Sequence, residues 1–243
     1  NRDVLQRGGH GVQAEISIRG GSFDQTAIQL NGINLSSPHT VHYSFDIPIK
    51  LSDIERLEII HGPASATYGA SAFSGGINIV TKKKQDSKVY ARLEAGGHNL
   101  WGAEARGVLS NDKITSSISV GYSTSDGYTK NSDYNILNLL WQTRFNIEKS
   151  QLDIQVGYND KKYGANTFYT AAYPNQYDET STYFASVGGE TGGKLKFLPK
   201  VYWTRHDDCF QLIRGDASVV PYNYHRSDVY GANLNIQYSS LLG

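Results

Sequence analysis

In the second half of the chain, apolar and polar residues alternate through a series of strand-length segments. In residues 114–122, apolar or aromatic side chains hold most of the even positions, and Thr, Ser or Gly hold the odd ones. Residues 89–95, 137–147 and 152–159 alternate in the same way. Because successive side chains of a strand point to opposite faces, each segment predicts a strand with one apolar and one polar face.

The predicted strands are long, and their connections alternate in length. We expect about eight strands of roughly 9–13 residues, where about 5–6 is usual and about 9–11 tilted residues cross a bilayer. The last strand is predicted at 229–240. The short connections are 111–112, 148–150 and 191–193, and the long ones are 124–134, 164–182 and 207–226. This alternation is typical of transmembrane β-barrels and predicts antiparallel barrel strands over 85–243, closing alone or beginning a larger barrel.

Residues 1–84 follow a different pattern, in which Gly, Pro and Ser separate short apolar pieces. Residues 28–35 predict a hairpin, because Asn31 and Gly32 supply the two positive φ angles of a type I′ turn. Residues 51–56 predict a short helical turn with Ser52 or Asp53 as the N-cap. A second short helix is predicted at 64–68, and strands at 57–60 and 76–81. These elements make a small α+β domain.

Composition excludes some classes of function. The 23 basic residues balance 23 acidic ones, so the basic excess typical of a nucleic-acid partner is missing. Among the aromatic residues, 17 are Tyr, whose amphipathic ring suits a membrane interface. The sequence has no nucleophile–His–acid set, no zinc-ligand spacing and no phosphate-binding loop, so we expect no enzymatic activity.

Five short motifs follow one another between residues 16 and 81. They are Ile-Ser-Ile-Arg-Gly at 16–20, Leu-Asn-Gly at 30–32, Ile-Glu-Arg-Leu-Glu-Ile at 54–59, Gly-Pro-Ala-Ser-Ala-Thr-Tyr-Gly at 62–69 and Gly-Gly-Ile-Asn-Ile-Val-Thr at 75–81. Their order and spacing resemble the plug domain of TonB-dependent outer-membrane receptors. The downstream strands are similar to the cobalamin and siderophore branch, of Bacteroidetes type. The resemblance implies the C-terminal part of a plug (1–84), then about eight of the 22 strands of the barrel (85–243).

The resemblance also implies a function. Such receptors import a large, scarce nutrient across the bacterial outer membrane, and cobalamin is favoured here over a ferric siderophore. The TonB complex would use the proton-motive force to pull on an N-terminal segment that we expect to lie outside this chain, and outer-membrane lipid would surround the strands. Two alternatives stay open. One is a surface adhesin or docking barrel without transport, and the other is a soluble β-rich binding protein whose apolar faces pack on each other.

In the family, charged residues hold the plug to the barrel wall. The resemblance implies this role for four residues of the present chain. Arg19 stands where a buried plug arginine pairs with wall glutamates, since a charge inside the barrel needs a partner; an exposed arginine at a strand end is the alternative. His61 stands where a second arginine is usual and would contribute only when protonated, below about pH 6.5. Glu55 and Glu58 are expected to pair within the plug or with the wall.

Ligand contacts are expected on loops that face the outside. Two plug loops, at 22–25 and 38–43, occupy apical positions in the family, although each is also compatible with an ordinary polar loop. The long connection 164–182 carries aromatic and amide side chains that suit a large polar ligand with some apolar surface. The candidate contacts are Ser22, Phe23, Gln25, His39, His42, Tyr43, Tyr169, Tyr173, Asn175 and Tyr177.

The resemblance implies one possible ion, calcium, because cobalamin receptors can order such loops with Ca²⁺. Asp178 and Glu179 are the only clustered carboxylates on the long connection, and calcium takes carboxylate and carbonyl oxygens. They are therefore the candidate ligands. We expect no other cofactor.

Overall fold

The computed structural model describes residues 2–18, 25–36, 40–61 and 75–239. The described residues up to 84, here called the inner domain, form two small sheets. The remaining residues form one large sheet, here called the wall, against which the inner domain packs. No helix in the described ranges is both long and apolar enough to cross a membrane.

The inner domain is built from six short strands. In the first sheet, β1 (Arg2–Arg7) pairs antiparallel with β2 (Gln13–Ile18). The second sheet has the order β4-β3-β6-β5, in which only the pair of β3 with β6 is parallel. Its strands are β3 (Thr26–Leu30), β4 (Ile33–Asn34), β5 (Ile54–His61) and β6 (Gly75–Thr81). The strands predicted at 57–60 and 76–81 are thus confirmed, while the helix predicted at 64–68 lies outside the described residues.

The predicted hairpin turn is confirmed between β3 and β4. Asn31 has a φ of 53° and Gly32 a φ of 77°, which are the two left-handed positions of a type I′ turn. Leu30 and Ile33 face each other across the turn. The turn aims Asn31 at the wall, a contact described below.

The helical turn predicted at 51–56 is wrong in its extent and its cap. A 3-10 turn covers only Leu51–Asp53, and β5 begins at the next residue. The N-cap is Lys50, whose backbone N–H donates to the Asp53 carboxylate at 2.9 Å. From residue 54 onward the backbone pairs with β6 instead. Backbone hydrogen bonds to β6 therefore replace those that would have continued the helix.

The wall is an antiparallel meander of eight strands, the number predicted. The order follows the chain from β7 to β14. The strands are β7 (Lys88–Ala95), β8 (Trp101–Ser110), β9 (Ile114–Ser125), β10 (Tyr134–Ile147), β11 (Ser150–Gly164), β12 (Tyr177–Glu190), β13 (Leu195–Gln211) and β14 (Asn223–Tyr238).

Several strands extend further than predicted, and the long connections are correspondingly shorter. The connection predicted at 164–182 spans 165–176, and the one predicted at 207–226 spans 212–222. The last strand begins six residues earlier than predicted, at Asn223. The ladder continues here through residues that are polar on both faces, such as 180–182 opposite 206–208. Because both faces are polar, the apolar alternation that marks the rest of each strand gives no signal there.

The polar face of the wall points toward the inner domain, and the apolar face points away. In β9, Ser117, Ser119 and Ser123 are buried, whereas Ile118 is 61% exposed. In β10, Asn138 and Gln142 are buried while Leu139 and Trp141 are exposed. A soluble sheet has the opposite arrangement, with its apolar face turned to the core. The alternative of a soluble protein whose apolar faces pack together therefore does not describe this wall.

A small apolar core joins the two parts. Ile28, Leu30, Ile33, Ile47 and Ile79 of the inner domain pack with Phe184 of the wall. A second cluster joins Val12 to wall and loop residues, namely Tyr134, Ile136, Tyr163 and Ala165. The rest of the interface is polar. It carries the chemistry described next.

Candidate functional site

A buried ion pair fixes the 3-10 turn Leu51–Asp53, which directly precedes β5, to the wall. Arg106 of β8 donates from Nε to the Asp53 carboxylate at 2.9 Å, and the two side chains are 2% and 1% exposed. Ser119 of β9 donates to the other carboxylate oxygen at 2.9 Å. Arg106 and Ser119 are direct partners across the β8–β9 ladder. Two neighbouring wall residues thus hold one acidic side chain of the inner domain.

The same arrangement recurs at Asp46. The ammonium of Lys161, in β11, lies 2.7 Å from the Asp46 carboxylate, and both side chains are 4% exposed. Thr180 of β12 donates to Asp46 at 2.8 Å. Lys161 and Thr180 face each other in the β11–β12 ladder. Lys161 also donates to the backbone carbonyl of Val12, which brings the first sheet into the same anchor.

A third contact is neutral and uses the hairpin turn. The Asn31 amide donates to Gln155 of β11 at 2.7 Å and to Thr81 of β6 at 2.9 Å. Gln142, the ladder partner of Gln155, donates to Thr81 at 2.7 Å. Lys200 of β13 donates to the Asn31 carbonyl. These side chains form one hydrogen-bonded network, in which only the Gln142 Oε1 atom lacks a partner among the described residues. Such a network favours one seated position of the inner domain.

A more exposed ion pair lies near the short connections of the wall. Lys83 donates to the Asp153 carboxylate at 3.0 Å. Arg144, the ladder partner of Asp153, makes two further bonds to it at 2.7 and 2.8 Å. All three side chains retain some exposure. This pair is therefore open to screening by salt, unlike the pairs at Asp46 and Asp53.

At the end of the wall that carries the long connections, one carboxylate accepts hydrogen bonds from both the inner domain and a loop of the wall. Asp178 of β12 is fully buried. Its two oxygens accept hydrogen bonds from Tyr43 of the inner domain at 3.3 Å and from Tyr169 of the long loop at 2.8 Å. Tyr43 also stacks on His206, with ring centroids 4.9 Å apart. Burial first, and the nearby carboxylate second, raise the pKa of both Tyr43 and Tyr169 well above the usual phenol range. Both phenols therefore stay protonated as donors.

His42 and Tyr43, which were predicted as ligand contacts, lie at this junction. The His42 ring nitrogen Nδ1 is 2.7 Å from Glu15, which also pairs with Arg7. The His42 ring contacts the edge of Tyr169 at 5.7 Å between centroids. Tyr43 is buried rather than presented on an open loop. The structure thus brings both residues to the long loop but gives each a partner within the protein.

The long loop 165–176 carries the other predicted contacts in different settings. Tyr173 and Asn175 are exposed, and Tyr169 keeps 36% of its surface exposed while its hydroxyl reaches inward. Tyr177 is the first residue of β12 and not a loop residue. The Arg214 guanidinium lies over its ring at 4.1 Å.

Arg214 ties three long connections together. It makes two bonds to Asp133 at 2.6 and 2.9 Å, and its backbone N–H donates to the Asn175 carbonyl at 2.8 Å. The side-chain amide of Asn131, beside Asp133, donates to the carbonyls of Pro174 and Gln176. Arg214 of 212–222 thus reaches 126–133 through its guanidinium and 165–176 through its backbone N–H. The three connections form one rim.

The remaining predicted residues are placed as follows. Glu55 and Glu58 are not plug–wall contacts here: both are half-exposed and pair with Arg56 of the same strand, at 2.8 and 2.6 Å. Asn78 of β6 also donates to Glu58 at 2.7 Å, so the described partners of both residues lie within the inner domain. Gln25 is half-buried directly before β3. The backbone of His61 ends β5, but its side chain is not described. Outside the described residues lie Arg19, Ser22, Phe23 and His39.

Asp178 and Glu179 do not form a ligand pair. They are adjacent in an extended strand, so their side chains point to opposite faces. Asp178 is buried toward the inner domain, whereas Glu179 points outward near Lys162. Within the described ranges, no three His, Cys, Asp or Glu side chains converge in a way that could hold a metal ion.

The charged pairs that hold the inner domain against the wall were not predicted from the sequence. Arg106 and Lys161 share the strand parity of buried polar neighbours. A charge on that face requires a buried partner of opposite sign. That signal was available in the alternation pattern, although the identity of the partner was not.

Known proteins resemble both parts of the chain. The family model "TonB-dependent Receptor Plug Domain" matches residues 2–76. The vitamin B12 transporter BtuB of Vibrio vulnificus is 35% identical over 86 residues, which are 35% of this chain and 14% of that protein. BtuB of Vibrio cholerae serotype O1 is 30% identical over 128 residues, which are 51% of this chain and 21% of that protein. The matches therefore span about a fifth or less of the relatives' own length.

Solved structures share the fold at low sequence identity. The unliganded ferric citrate transporter FecA aligns with a TM-score of 0.80 at 15% identity, covering 100% of this chain and 41% of FecA. The copper transporter OprC aligns with a TM-score of 0.77 at 16% identity, covering 98% and 39%. The siderophore receptor PiuA from Acinetobacter baumannii gives 0.75 at 13% identity, covering 99% and 39%. The inner domain and the wall together therefore have the architecture of these proteins.

Proposed function

We propose, from the premise that this chain belongs to the TonB-dependent outer-membrane receptors, that its protein actively imports a large and scarce nutrient. The family's plug model matches residues 2–76, and the whole chain shares the fold of part of FecA. We take the wall to be the start of the barrel. The proton-motive force, delivered through the TonB complex, would drive the import. Cobalamin is the favoured nutrient, ahead of a ferric siderophore.

One observation carries this proposal: a folded inner domain is seated against the polar face of a sheet whose apolar face is exposed. The apolar face suits the lipid of the outer membrane, where the strands of a barrel place their apolar residues. A domain that fills the polar side would block a pore and would be useful only if it could be displaced. This arrangement supports gated transport over a docking barrel, which needs no such domain.

The contacts between the two parts suit a plug that is held firmly yet can be moved. Ion pairs and amide networks fix it, with only a small apolar core. Charged and polar groups that leave each other in a water-filled barrel are rehydrated, which lowers the cost of separation. An extended apolar interface would expose its whole surface to water instead. Arg19 and His61 stay predicted contributors to the same task.

The nutrient is proposed from the relatives and from the rim. The two relatives described above are named as vitamin B12 transporters. The solved structures are named as a ferric citrate transporter, a copper transporter and a siderophore receptor. Exposed Tyr173 and Asn175, with the exposed part of Tyr169, offer the aromatic and amide surface that a corrinoid would contact. Ser22, Phe23, Gln25 and His39 stay predicted contacts. Calcium at the outer loops also stays a prediction, for which Glu179 offers an accessible carboxylate.

Binding to the purified full-length receptor tests the nutrient. Isothermal titration with cyanocobalamin, its corrinoid precursors, haem and ferric siderophores should show saturable binding for cobalamin above the others. The matched variants are Tyr173→Ala on the rim and Tyr230→Ala on the outer face of β14. The first should weaken binding and the second should not. Saturable binding of a ferric siderophore alone would overturn cobalamin, and binding of none of these would favour a docking barrel.

A further inference from the structure

The buried carboxylate of Asp178 joins three parts of the molecule that are far apart in sequence. Tyr43 comes from the inner domain, Tyr169 from the long loop, and Asp178 from the wall. Both phenols donate to this one carboxylate, at 3.3 and 2.8 Å. In the described part of the chain, no Lys, Arg or His forms an ion pair with it. The hydroxyls of Tyr43 and Tyr169, with Tyr163 opposite Asp178 in the β11–β12 ladder, are therefore its main compensation for burial.

A carboxylate in this setting makes its donors depend on each other. Burying a charge without compensation is costly, and hydrogen bonds to a charged acceptor are stronger than neutral ones. If Tyr169 leaves, water reaches the carboxylate and competes with Tyr43. If the Tyr43 hydroxyl moves away, water reaches the carboxylate from the side of the inner domain and competes with the hydrogen bond from Tyr169.

Each tyrosine is also fixed to its own part of the molecule. The backbone N–H of Tyr169 donates to Gln176 at the far end of the same loop, at 3.2 Å. The backbone carbonyl of Tyr43 accepts from the N–H of Asp46 at 2.9 Å. Asp46 is the residue that Lys161 and Thr180 anchor to the wall. A displacement of Asp178 therefore disturbs the long loop through Tyr169 and the anchored segment 43–46 through Tyr43.

We propose that Asp178 is a positioning residue that couples the long loop 165–176 to the inner-domain segment 43–46. The coupling is a property of the ligand-free protein. Its use rests on the proposed function: a nutrient that contacts the exposed part of Tyr169 would loosen, through Asp178, the segment that Lys161 holds. Contact at the rim would thereby lower the resistance of the inner domain to being pulled.

Hydrogen exchange on the full-length receptor without ligand tests the coupling. The reporters are the backbone amides of Asp46 for the inner domain and of Ala165 for the loop, which donate to Tyr43 and Gln176. Tyr169→Phe should speed exchange at Asp46, and Tyr43→Phe should speed exchange at Ala165. Each change should be about 2- to 12-fold, the range for loss of one hydrogen bond. Ser186→Ala, also buried on the inward face of β12, should change neither amide.

Asp178→Leu separates coupling from a local packing defect. In that background both amides should exchange faster, and adding either Tyr→Phe change should have no further effect across the junction. If each Tyr→Phe variant alters only its own side, the coupling is absent and the proposal is wrong. Even if Asp178→Leu fails to fold, the two tyrosine variants overturn the proposal when neither acts across the junction, and Gln13→Leu controls for the direct contact that Gln13 makes with the Tyr169 hydroxyl at 3.4 Å. Because no ligand is used, the outcome does not depend on which nutrient is imported, or whether any is.

Discussion

The Asp53 carboxylate of the inner domain lies 2.9 Å from the Arg106 guanidinium of the wall, and both side chains are excluded from solvent. Ser119 and the backbone of Lys50 complete the shell around Asp53. Removing one member of a buried pair leaves the other charge uncompensated, which is more damaging than removing both.

Asp53→Ala should destabilise the seated inner domain by about 3–5 kcal/mol, because Arg106 would stay buried without its partner. The double change Asp53→Leu with Arg106→Met should cost less than the single one. Denaturant-induced release of the inner domain in the full-length protein, followed by protease accessibility, measures both. Glu58→Ala is the control, since its pair with Arg56 is half-exposed. Equal effects of Asp53→Ala and Glu58→Ala would contradict the anchor.

Salt should separate the buried anchors from the exposed one. At 1 M salt the screening length falls to about 3 Å, which weakens exposed pairs and leaves buried pairs nearly unchanged. Lys83→Ala should therefore loosen the inner domain at low salt and have little further effect at 1 M NaCl. Asp46→Ala should loosen it equally at both. Hydrogen exchange in β3 and β6 reports the difference, and the same salt dependence in both variants would contradict the assignment.

Arg214 should govern the order of the rim. Its loss removes the two-pronged pair with Asp133 and the stacking on Tyr177. Arg214→Ala should raise the rate of proteolysis in 126–133 and 165–176 by about 3- to 10-fold, as expected for contacts worth roughly 1 kcal/mol. Arg214→Lys should rescue little, because an ammonium lacks the planar fork. Arg226→Ala, on an exposed pair in β14, should leave both loops as resistant as before. A fully resistant Arg214→Ala would show that other contacts hold the rim.

The outward apolar face should tolerate size changes and reject charge. Ile118 is exposed on the outer face of β9. If lipid covers that face, Ile118→Lys costs up to about 2–4 kcal/mol near the bilayer midplane. Ile118→Val should be neutral. The folded fraction in outer membranes, read from the heat-dependent shift on gels, compares the two. Equal folding of both variants would place Ile118 in water.

Local chemistry and periodicity predicted much of the fold. Asn31 and Gly32 specify their turn without help from the rest of the chain, and strand parity assigns residues such as Ile118 and Ser119 to opposite faces. The strand ends were underestimated, because polar residues such as Thr180 occupy both faces beyond the apolar band. Local patterns there resemble those of a loop.

The candidate site was harder to predict, because its contacts join residues far apart in sequence. Tyr43 and Asp178 are 135 positions apart, and nothing near either residue indicates the other. His42 was predicted on an outward-facing plug loop, and the structure brings it to Tyr169 of the long loop and to Glu15, neither of which the prediction joined to it. Arg106 and Lys161 could have been predicted to contact the inner domain, because a charged residue on the buried face of a strand requires a partner of opposite charge. Glu55 and Glu58 were expected to pair within the plug or with the wall, and both pair with Arg56 of the same strand.

The central claim is energised import through the barrel, and uptake by intact cells tests it most directly. Cells lacking their own receptor would express the full-length protein and receive labelled cyanocobalamin. We expect accumulation above the external concentration that disappears when TonB is deleted or the proton-motive force is collapsed, while surface binding remains. Binding without accumulation, or accumulation that survives the loss of TonB, would contradict the account.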